Sequence, residues 1–493
     1  MAPSWLIFLG IVAVIPTSIA AASAETSSSK TIKTDVVIVG GGAGGAHAAL
    51  RLKDMGKSVV LIEQDSTLGG NVDSYTPPGT DKSMDFGVFS FIDYAGATAL
   101  FDRLNISTAP PARVRAPTKY ADFTTGALIP DYAAPASAAA RAAMEKYLSI
   151  CEEYEDMIIP GYWNFPTGGA IPEDLLMRFG DFVKKHGIAD AVPQIYAATG
   201  FGIGRQADEL TLTVMQTFGA QMARSMLGRQ GGFITASHRN QDVYDAMARE
   251  IGEQAILYET KVMRSTRAAG FGVVLTTENQ RTGEETTIQA TKLLMAIRPV
   301  GEEAMRPFSL DARETSLFSK FDYHRVWATL VRHPSLTAGN TSVDNFPAAV
   351  APSNYLETPQ VPFLDKFELQ DNTAGGLESR VFRSLVIGTK DFEYADAKEL
   401  LQSSLDRLIE QGILPRTSAG KEAEQIEVVA LSDHGPMHVR VSADELRDGF
   451  FQKLYALQGH RSTWWTGAAF ASHFQTIIWE LNEVLVPQML GDK

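Results

Sequence analysis

The most constraining feature of the chain is a glycine cluster that joins a strand-like run to a helical one. Residues 40–45, GGGAGG, follow the apolar run at residues 35–39 and open a helical stretch. Gly40 permits a tight turn, Gly42 lets the backbone approach a pyrophosphate, and Gly45 lets the helix and the strand pack closely. The free N–H groups at the start of the helix attract phosphate. The pattern predicts a dinucleotide site inside a βαβ unit.

One acidic residue and two small residues extend this pattern. Glu63 ends the second predicted strand, residues 59–63, about 20 positions after Gly42, where an acid can hold a ribose hydroxyl of an unphosphorylated adenosine. Ala49 and Gly56 continue the packing face of the helix and the turn into that strand. This longer spacing is typical of flavoproteins, and it favours FAD over NAD as the cofactor.

Composition and charge exclude several other classes of protein. The 493 residues suggest roughly three units at about 150 residues per domain. The formal net charge of −14 repels phosphate backbones, so nucleic acid is not an expected partner. The single cysteine, Cys151, excludes an intrachain disulfide, a cysteine-rich zinc site and a dithiol redox centre. No metal site is predicted, redox chemistry must come from a bound cofactor, and Cys151 is expected to be a buried small residue rather than a flavin anchor.

The N-terminus predicts a secretory signal peptide. An apolar run at residues 5–15 precedes a small-x-small cleavage site, ASA, so we expect the signal peptide to span residues 1–24. The run is too short for a stable membrane span, although the lack of Lys and Arg before it leaves a signal anchor open. The chain is therefore expected in the secretory pathway, secreted or vacuolar. Sequons at Asn105 and Asn340 predict glycosylation.

The order of predicted strands and helices indicates an FAD-binding domain built from three separated pieces. These pieces are residues 25–108, 228–299 and 428–493. Between them, residues 109–227 form a helical insertion that caps the substrate, and residues 300–427 form the sheet of a substrate domain. The last piece is predicted to contain a helix over residues 468–486 with one apolar face. Ligand sites commonly lie where two such domains meet.

Two further glycine motifs follow Glu63. Residues 68–71, LGGN, carry adjacent glycines that let a second backbone segment lie against the same pyrophosphate. Residues 85–88, DFGV, place a glycine among apolar residues, which suits the side of a flat ring. Both motifs are therefore predicted to cover the cofactor that the first cluster binds.

These motifs resemble those of the amine oxidase and phytoene desaturase class of FAD flavoproteins. The resemblance is carried by residues 39–45, Glu63, residues 68–70 and residues 85–87. Within this class the chain is similar to the fungal beta-cyclopiazonate dehydrogenase-like group, because residues 462–469 read STWWTGAA. The resemblance implies an α/β fold, in which a discontinuous Rossmann-type FAD-binding domain carries a substrate domain of mixed sheet and helices.

The resemblance also implies a role toward FAD for each matching residue. Those expected at the pyrophosphate and the adenosine are Gly40, Gly42, Gly45, Glu63, Gly69, Gly70, Asn71 and, through its backbone, Val262. Those expected at the flavin are Gly87 and Val88 at the ring edge, and Gly467, Ala468 and Ala469 at the pyrimidine end. Relatives in the wider class often carry a basic residue where this chain has Asn71, so backbone groups or another arginine must neutralise the phosphates. Reduced flavin is negative near N1 and C2=O, and the N-terminus of the final helix would stabilise that charge.

The catalytic candidates come from the same region and from the predicted roof of the ring. Trp464 and Trp465 stand just before Gly467, so at least one of them is a candidate wall of the substrate pocket. Both could instead be core residues. Tyr323 is a candidate because it lies in a segment that should cover the flavin. No general base is assigned.

A metal site and a second nucleotide site are alternatives that the sequence does not favour. His434 and His438 have the spacing of metal ligands, but the Gly-Pro pair between them breaks any helix, so we expect a loop with solvated or core histidines. No second Rossmann unit is evident, which makes a nicotinamide site unexpected. Oxygen or a diffusible electron acceptor should therefore reoxidise the flavin.

The sequence predicts an FAD-dependent oxidase or dehydrogenase. It should remove two electrons from a small hydrophobic substrate, with hydride passing to flavin N5. The resemblance implies a fungal secondary metabolite as substrate, with ring closure coupled to the oxidation as one option. The alternatives left open are a redox-neutral double-bond isomerase, an amine oxidase, and a flavin-binding partner protein without activity.

Replacing Gly42 by Asp is expected to abolish flavin loading, because a carboxylate would stand against the phosphates. The absorption spectrum of the purified Gly42→Asp protein, compared with that of the wild type, measures the loading. A yellow, fully loaded variant would contradict this placement of the phosphates.

Overall fold

The computed structural model describes residues 30–111, 116–199, 202–370, 380–417 and 425–491. The predicted signal peptide, residues 1–24, lies outside the described residues. Among the helices that are described, none is both long and apolar enough to span a bilayer.

The described residues form two large sheets and a group of helices, numbered here in chain order. The strands are β1 Lys30–Val39, β2 Val59–Ile62, β3 Ser74–Tyr75, β4 Met84–Asp85, β5 Phe91–Ile92, β6 Thr108–Ala109, β7 Thr118–Asp122, β8 Ala127–Leu128, β9 Gly232–Thr235, β10 Ile256–Leu257, β11 Thr260–Ala268, β12 Gly272–Asn279, β13 Glu285–Met295, β14 Asp322–Arg332, β15 Ser342–Asn345, β16 Phe363–Leu364, β17 Lys366–Gln370, β18 Val381–Gly388, β19 Glu427–Arg440 and β20 Thr463–Trp465. The helices are α1 Ala43–Asp54, α2 Ala97–Arg103, α3 Ser137–Ile158, α4 Glu173–Leu176, α5 Phe179–His186, α6 Val192–Thr199, α7 Thr211–Thr217, α8 Ala220–Met226, α9 Gln241–Ile251, α10 Glu302–Met305, α11 Ala312–Phe318, α12 Pro334–Gly339, α13 Tyr394–Glu410, α14 Ala443–Arg447, α15 Phe450–Tyr455 and α16 Gln475–Leu490.

The first sheet carries the predicted βαβ unit. Its order is β10-β2-β1-β13-β12-β11, and β20 pairs with β13. Strand β1 is parallel to both β2 and β13, and its last residues are buried on both faces, as expected for the centre of a parallel sheet. Val36 and Ile38 pack with α1, α9 and α16, whereas Val37 and Val39 face the opposite core, because alternate side chains of a strand point to opposite faces. The predicted fold class is confirmed.

The second sheet is mixed and contains strands from three parts of the chain. Its order is β19-β14-β18-β17-β15-β7-β8, and β16 pairs with β18. Strand β7 is parallel to β15, whereas β14 is antiparallel to β18 and β19. Helix α13 packs on one face of this sheet. The structure thus differs from the sequence-based division, since β7 and β8 come from the predicted helical insertion and β19 from the last predicted piece of the FAD-binding domain.

The helical insertion follows β8 and packs against the first sheet. Its helices α7 and α8 follow each other closely and are separated at Phe218–Gly219. Cys151, in the long helix α3, is buried as expected, and burial raises the pKa of its thiol well above the usual range. The neutral thiol is therefore a packing residue at neutral pH.

The final helix begins later than the sequence predicts. Helix α16 starts at Gln475, and residues 467–474 form turns, so the prediction of a helix starting at Ala468 is wrong. The prediction failed because Phe470 continues the apolar spacing of the helix without belonging to it. Phe470 is buried and stacks on Trp465. A residue can thus continue an apolar pattern from a turn that merely packs on the same core.

The segment that contains His434 and His438 is also different from its prediction. It lies within strand β19 rather than in a loop, and both histidines are buried. Strand β19 is at the edge of its sheet, where Pro436 is tolerated, and three register shifts against β14 absorb the irregular residues. The interpretation as core histidines is correct, but the predicted loop is wrong.

A buried ion pair holds the strand that leads to the C-terminal motif. Arg267 in β11 and Glu314 in α11 are both fully buried and meet at 2.6 Å, and Arg267 also donates to Thr463 at the start of β20.

Replacing Glu314 by Ala leaves the guanidinium of Arg267 buried without a carboxylate. We expect the free energy of unfolding to fall by about 3–5 kcal/mol, measured by denaturant titration. Glu427→Ala, which breaks the exposed pair with Arg332, is the control and should cost less than about 1 kcal/mol. Equal losses for the two variants would contradict the role of Glu314.

Candidate functional site

The glycine loop after β1 is closed tightly at its ends and open in the middle. A Cβ on Gly45 would lie 1.8 Å from the carbonyl oxygen of Gly40, so the close packing of loop and helix requires glycine there. A Cβ on Gly42 would meet only Gly70, at 3.6 Å, among the described atoms within 4 Å. Helix α1 has no side-chain cap, so its first N–H groups remain available. This open face fits a phosphate.

Glu63 stands beside the same loop, at the end of β2. One carboxylate oxygen accepts the N–H of Gly41 at 2.6 Å and the other accepts that of Asp65 at 2.9 Å. Burial raises the pKa of Glu63, and the two N–H groups act against this shift. Each oxygen keeps a lone pair, so the carboxylate has the capacity to accept ribose hydroxyls. The N–H of Thr260 bonds to Glu63 O at 2.8 Å, which brings β11 and Val262 to this end of the site.

The second glycine loop faces the first. The N–H of Gly69 donates to Gly41 O at 3.0 Å, and a Cβ on Gly70 would lie 3.0 Å from the Cα of Gly42. The side chain of Gln241, at the start of α9, donates to Leu68 O at 2.6 Å and fixes this loop from behind. The two loops therefore enclose one strip of backbone donors, as the sequence predicts for a diphosphate.

Gly87 and Val88 are positioned by their own packing. A Cβ on Gly87 would lie 2.3 Å from Asn71 O, so glycine is required there to let the two backbones approach. The N–H of Val88 donates to Asn71 O at 2.9 Å, and its carbonyl accepts from the Asn240 amide. A contact of these residues with the flavin edge stays a prediction.

The C-terminal motif lies against the first glycine loop. The N–H of Thr466 donates to Met295 O at 2.9 Å, which continues the pairing of β20 with β13. The Thr466 hydroxyl donates to Asn482 at 2.6 Å, and the Asn482 amide donates to Gly44 O at 2.8 Å. A Cβ on Gly44 would come within 3.4 Å of the N of Gly467. Residues 467–469 therefore stand where a cofactor bound to the glycine loop can reach them.

The turn before α16 and the first two residues of that helix contain buried polar atoms that have no hydrogen-bond partner among the described residues. They are Ser472 Oγ, His473 Nε2, Gln475 Nε2 and Thr476 Oγ1. An unpaired buried polar atom costs about 1–3 kcal/mol, so four of them within five consecutive residues indicate a polar ligand. The site as a whole fits FAD: an open glycine loop for the diphosphate, Glu63 for the ribose, and unpaired donors at a helix N-terminus for the flavin.

The three catalytic candidates do not meet in one pocket. Trp465 is fully buried and packs on Phe318 and Phe470, so in this structure its ring is not accessible to a substrate. Trp464 is half-buried and packs with the core around α1, α9 and α16. Tyr323 is half-buried in β14, and the Lys390 ammonium lies 5.1 Å from its ring centre. The positions of the tryptophans favour a core role, and a catalytic role for any of the three stays a prediction.

Several residues at the site were missed by the sequence analysis. Arg298 stands three residues beyond the end of β13, and its guanidinium donates to His434 O at 3.1 Å. His473 meets His438 with a distance of 2.7 Å between their Nδ1 atoms, and burial with the charges of Arg298 and Arg440 lowers the pKa of His473 to about 3. The carboxyl ends of parallel strands converge at one edge, so the position of Arg298 after a strand was a usable signal. The contact between His438 and His473 has no comparable signal in the sequence.

Two clefts lie on either side of the turn before α16. The first includes Gln216, Arg440 and Ala469 in its lining. The second lies between α3, α7, α8 and the start of α16, with Ser472 at its wall. Both clefts are narrow in this structure, and the second is lined mainly by apolar side chains.

Comparison with known proteins agrees with a Rossmann-type site for FAD. Residues 38–104 match the family model described as NAD(P)-binding Rossmann-like domain. The chain is 33% identical to the FAD-dependent oxidoreductase pigF of Monascus ruber over 94% of each chain, and 30% identical to beta-cyclopiazonate dehydrogenase of Aspergillus flavus over 93% of each. Among solved structures, a fatty acid isomerase from P. acnes superposes with a TM-score of 0.67 at 16% identity, covering 92% of this chain and 98% of that one. Cyclohexylamine oxidase from Brevibacterium oxydans superposes with a TM-score of 0.57 at 14% identity, covering 93% and 99%. These two likenesses concern the fold alone.

Replacing Glu63 by Gln is expected to weaken FAD binding ten- to a hundredfold. The amide would place an NH₂ group against a backbone N–H, and the ribose hydroxyls would lose a charged hydrogen-bond acceptor. Together these changes cost about 1.5–3 kcal/mol of binding free energy. The dissociation constant is measured by titrating the deflavinated protein with FAD. Glu259→Gln, a nearby change outside the site, is the control. An unchanged affinity in Glu63→Gln would show that this carboxylate does not face the ribose.

Proposed function

The chain belongs to the family of FAD-dependent oxidoreductases that includes beta-cyclopiazonate dehydrogenase, and from this premise we propose that it oxidises a hydrophobic organic substrate by two electrons. The enzyme class and the cofactor, FAD, follow from the family. The proposal concerns the substrate and the direction of the reaction. The observation that supports it is the apolar lining of the cleft that ends at the turn before α16.

The residues of this chain divide the work of binding. The loop of residues 40–45 and Gly70 would hold the diphosphate, Glu63 the ribose, and the turn before α16 the flavin. When bound, FAD supplies an acceptor for hydride at its N5 atom. The N-terminus of α16 directs its positive dipole end at the same turn, and this favours negative charge there.

The cleft has the chemistry of a site for an uncharged, apolar molecule. Apolar side chains from four helices line it, among them Ile158, Met215, Met222 and Ile477. Its carboxylate, Glu155, is already bonded to Arg224 at 2.5 Å. Because that charge is paired, the cleft offers no free carboxylate of a described residue to an ammonium group. This favours a hydrophobic substrate over the amine that an amine oxidase would take.

By likeness to the named relatives, the proposed substrate is a fungal secondary metabolite. The closure of a ring coupled to the oxidation is compatible with a cofactor that removes hydride from an activated carbon. A substrate of this kind has to leave water to react, and the cleft supplies apolar contacts for it.

The secretory location is proposed on separate grounds. Asn105 and Asn340 are both exposed, as glycosylation requires, and the lone thiol of Cys151 is buried and protected from oxidation. Removal of N-glycans from the protein made in a fungal expression host should increase its electrophoretic mobility. Unchanged mobility together with an intact N-terminus would oppose this proposal.

The function is tested by mixing the oxidised holoenzyme with candidate substrates without oxygen. Beta-cyclopiazonate, cyclohexylamine and a polyunsaturated fatty acid represent the three chemistries. Lasting loss of the flavin absorbance with beta-cyclopiazonate or a similar apolar compound is expected. Bleaching by the amine alone would indicate an amine oxidase, and bleaching that recovers before oxygen is admitted would indicate an isomerase.

Replacing Met222 by Trp should raise KM for an apolar substrate at least tenfold, because the indole would fill the cleft. A tenfold change corresponds to about 1.4 kcal/mol of lost binding. FAD content and the thermal unfolding midpoint should stay as in the wild type. Met226→Trp, one turn further along α8 at an exposed position, is the matched control. Equal kinetics of the two variants would remove this cleft from the substrate path.

A further inference from the structure

Arg298 lies beside the segment that leads to the flavin end of the site. The parallel pairing of β13 with β20 ends with Met295 opposite Trp465, and the N–H of Thr466 extends it by one bond. The chain therefore continues with residues 296–298 alongside residues 466–469. The carbonyl of Ala296 is the nearest described group, at 3.9 Å, to a Cβ built on Gly467.

The side chain of Arg298 points away from the diphosphate loop. The preceding residue, Ile297, faces that loop, since its Cγ2 would lie 2.7 Å from a Cβ on Gly40. The guanidinium of Arg298 reaches instead to the carbonyl of His434 in the second sheet, at 3.1 Å. It thus bridges the two sheets at the flavin end rather than at the phosphates.

The guanidinium has no ion-pair partner among the described carboxylates. Its Nε is buried without a hydrogen-bond acceptor, and burial lowers its pKa to about 10, so it is charged at neutral pH. Other enclosed arginines are paired, Arg267 with Glu314 and Arg440 with Glu209. Arg298 is half-buried, and no carboxylate of a described residue neutralises its charge, so the site can accept a negative charge that a ligand brings.

The groups that face Arg298 do not supply that charge. Asp433 acts on it only at a distance and is itself bonded to Arg325 at 3.1 Å. His434 is directed to Asp73, at 3.2 Å. His473, with its pKa of about 3, is neutral, and its contact is His438. The nearby Arg440 is neutralised by Glu209 and Asp322.

We propose that Arg298 stabilises the negative charge that appears at the pyrimidine end of the flavin on reduction, and so raises the reduction potential of the bound FAD. This rests on the proposed transfer of hydride to the flavin. The reduced form is negative near N1 and C2=O, whereas the oxidised form is neutral there. A cation fixed beside this end favours the reduced form, and it requires no reorganisation when the charge appears.

The test compares the holoenzyme with Arg298→Gln, which removes the charge, and Arg298→Lys, which keeps it. The reduction potential is measured by equilibration with a reference dye, and the affinity for sulfite, whose adduct also places negative charge on the flavin, is measured by titration. We expect Arg298→Gln to bind FAD, to lose about tenfold in the equilibrium constant for reduction, which is about 30 mV for a two-electron couple, and to bind sulfite at least tenfold more weakly. Arg298→Lys should stay close to the wild type.

Arg332→Gln, which removes a surface arginine at the far end of β14, is the matched control and should change neither quantity. If Arg298→Gln folds poorly, Arg298→Met provides the neutral side chain of similar length. A loaded neutral variant with unchanged potential and sulfite affinity would overturn the proposal, while the oxidoreductase function would stand. Loss of FAD from a folded neutral variant would also overturn it, because the arginine would then belong to the diphosphate. A colourless wild type that does not take up FAD would instead refute the proposed function.

Discussion

Asn482 hydrogen-bonds to both halves of the cofactor site. Its amide donates to Gly44 in the phosphate loop, 438 residues earlier in the chain, and its carbonyl accepts the hydroxyl of Thr466 just before Gly467. The side chain has no exposed surface. Each bond contributes only about 1 kcal/mol net, but an unpaired partner costs about 1–3 kcal/mol. The N-terminal and C-terminal motifs can therefore separate only at the cost of several buried polar groups, and the residues predicted to hold the two ends of FAD form one unit.

The parallel strands explain why residues so distant in sequence meet. Strands β1, β2, β13 and β20 all run in one direction, so their carboxyl ends reach the same edge of the first sheet. That edge carries the glycine loop, Glu63, Arg298 and the turn that starts at Gly467. Strand β19 of the second sheet adds His434 and His438 from the opposite side. The site is thus the place where two sheets meet, and its composition depends on strand order more than on any local motif.

This dependence decides what the sequence can predict. The βαβ unit and Glu63 are local patterns, and the structure contains both nearly as predicted. The start of α16 was misjudged because Phe470 continues its apolar period from a turn, and β19 because a Gly-Pro pair looks like a loop when the edge position of the strand is unknown. The contact between His438 and His473 joins two segments across the sheet junction, and no residue spacing in the sequence predicts it. Motifs within one βαβ unit were thus predictable, whereas contacts between the sheets were not.

Three groups at this junction, His473, His324 and Arg298, keep one charge state in neutral solution. Enclosure and neighbouring arginines lower the pKa of His473 to about 3 and that of His324 to about 4, so both stay uncharged from weakly acidic solution upward. Arg298, with its pKa of about 10, stays charged up to weakly alkaline solution. The dipole of α16 does not titrate at all. Between these limits Arg298 stays cationic, whereas His473 and His324 act as neutral hydrogen-bonding groups. A cation that keeps its charge acts on the flavin without a proton transfer, so under the proposed function the chain has only to place the substrate carbon close to the ring.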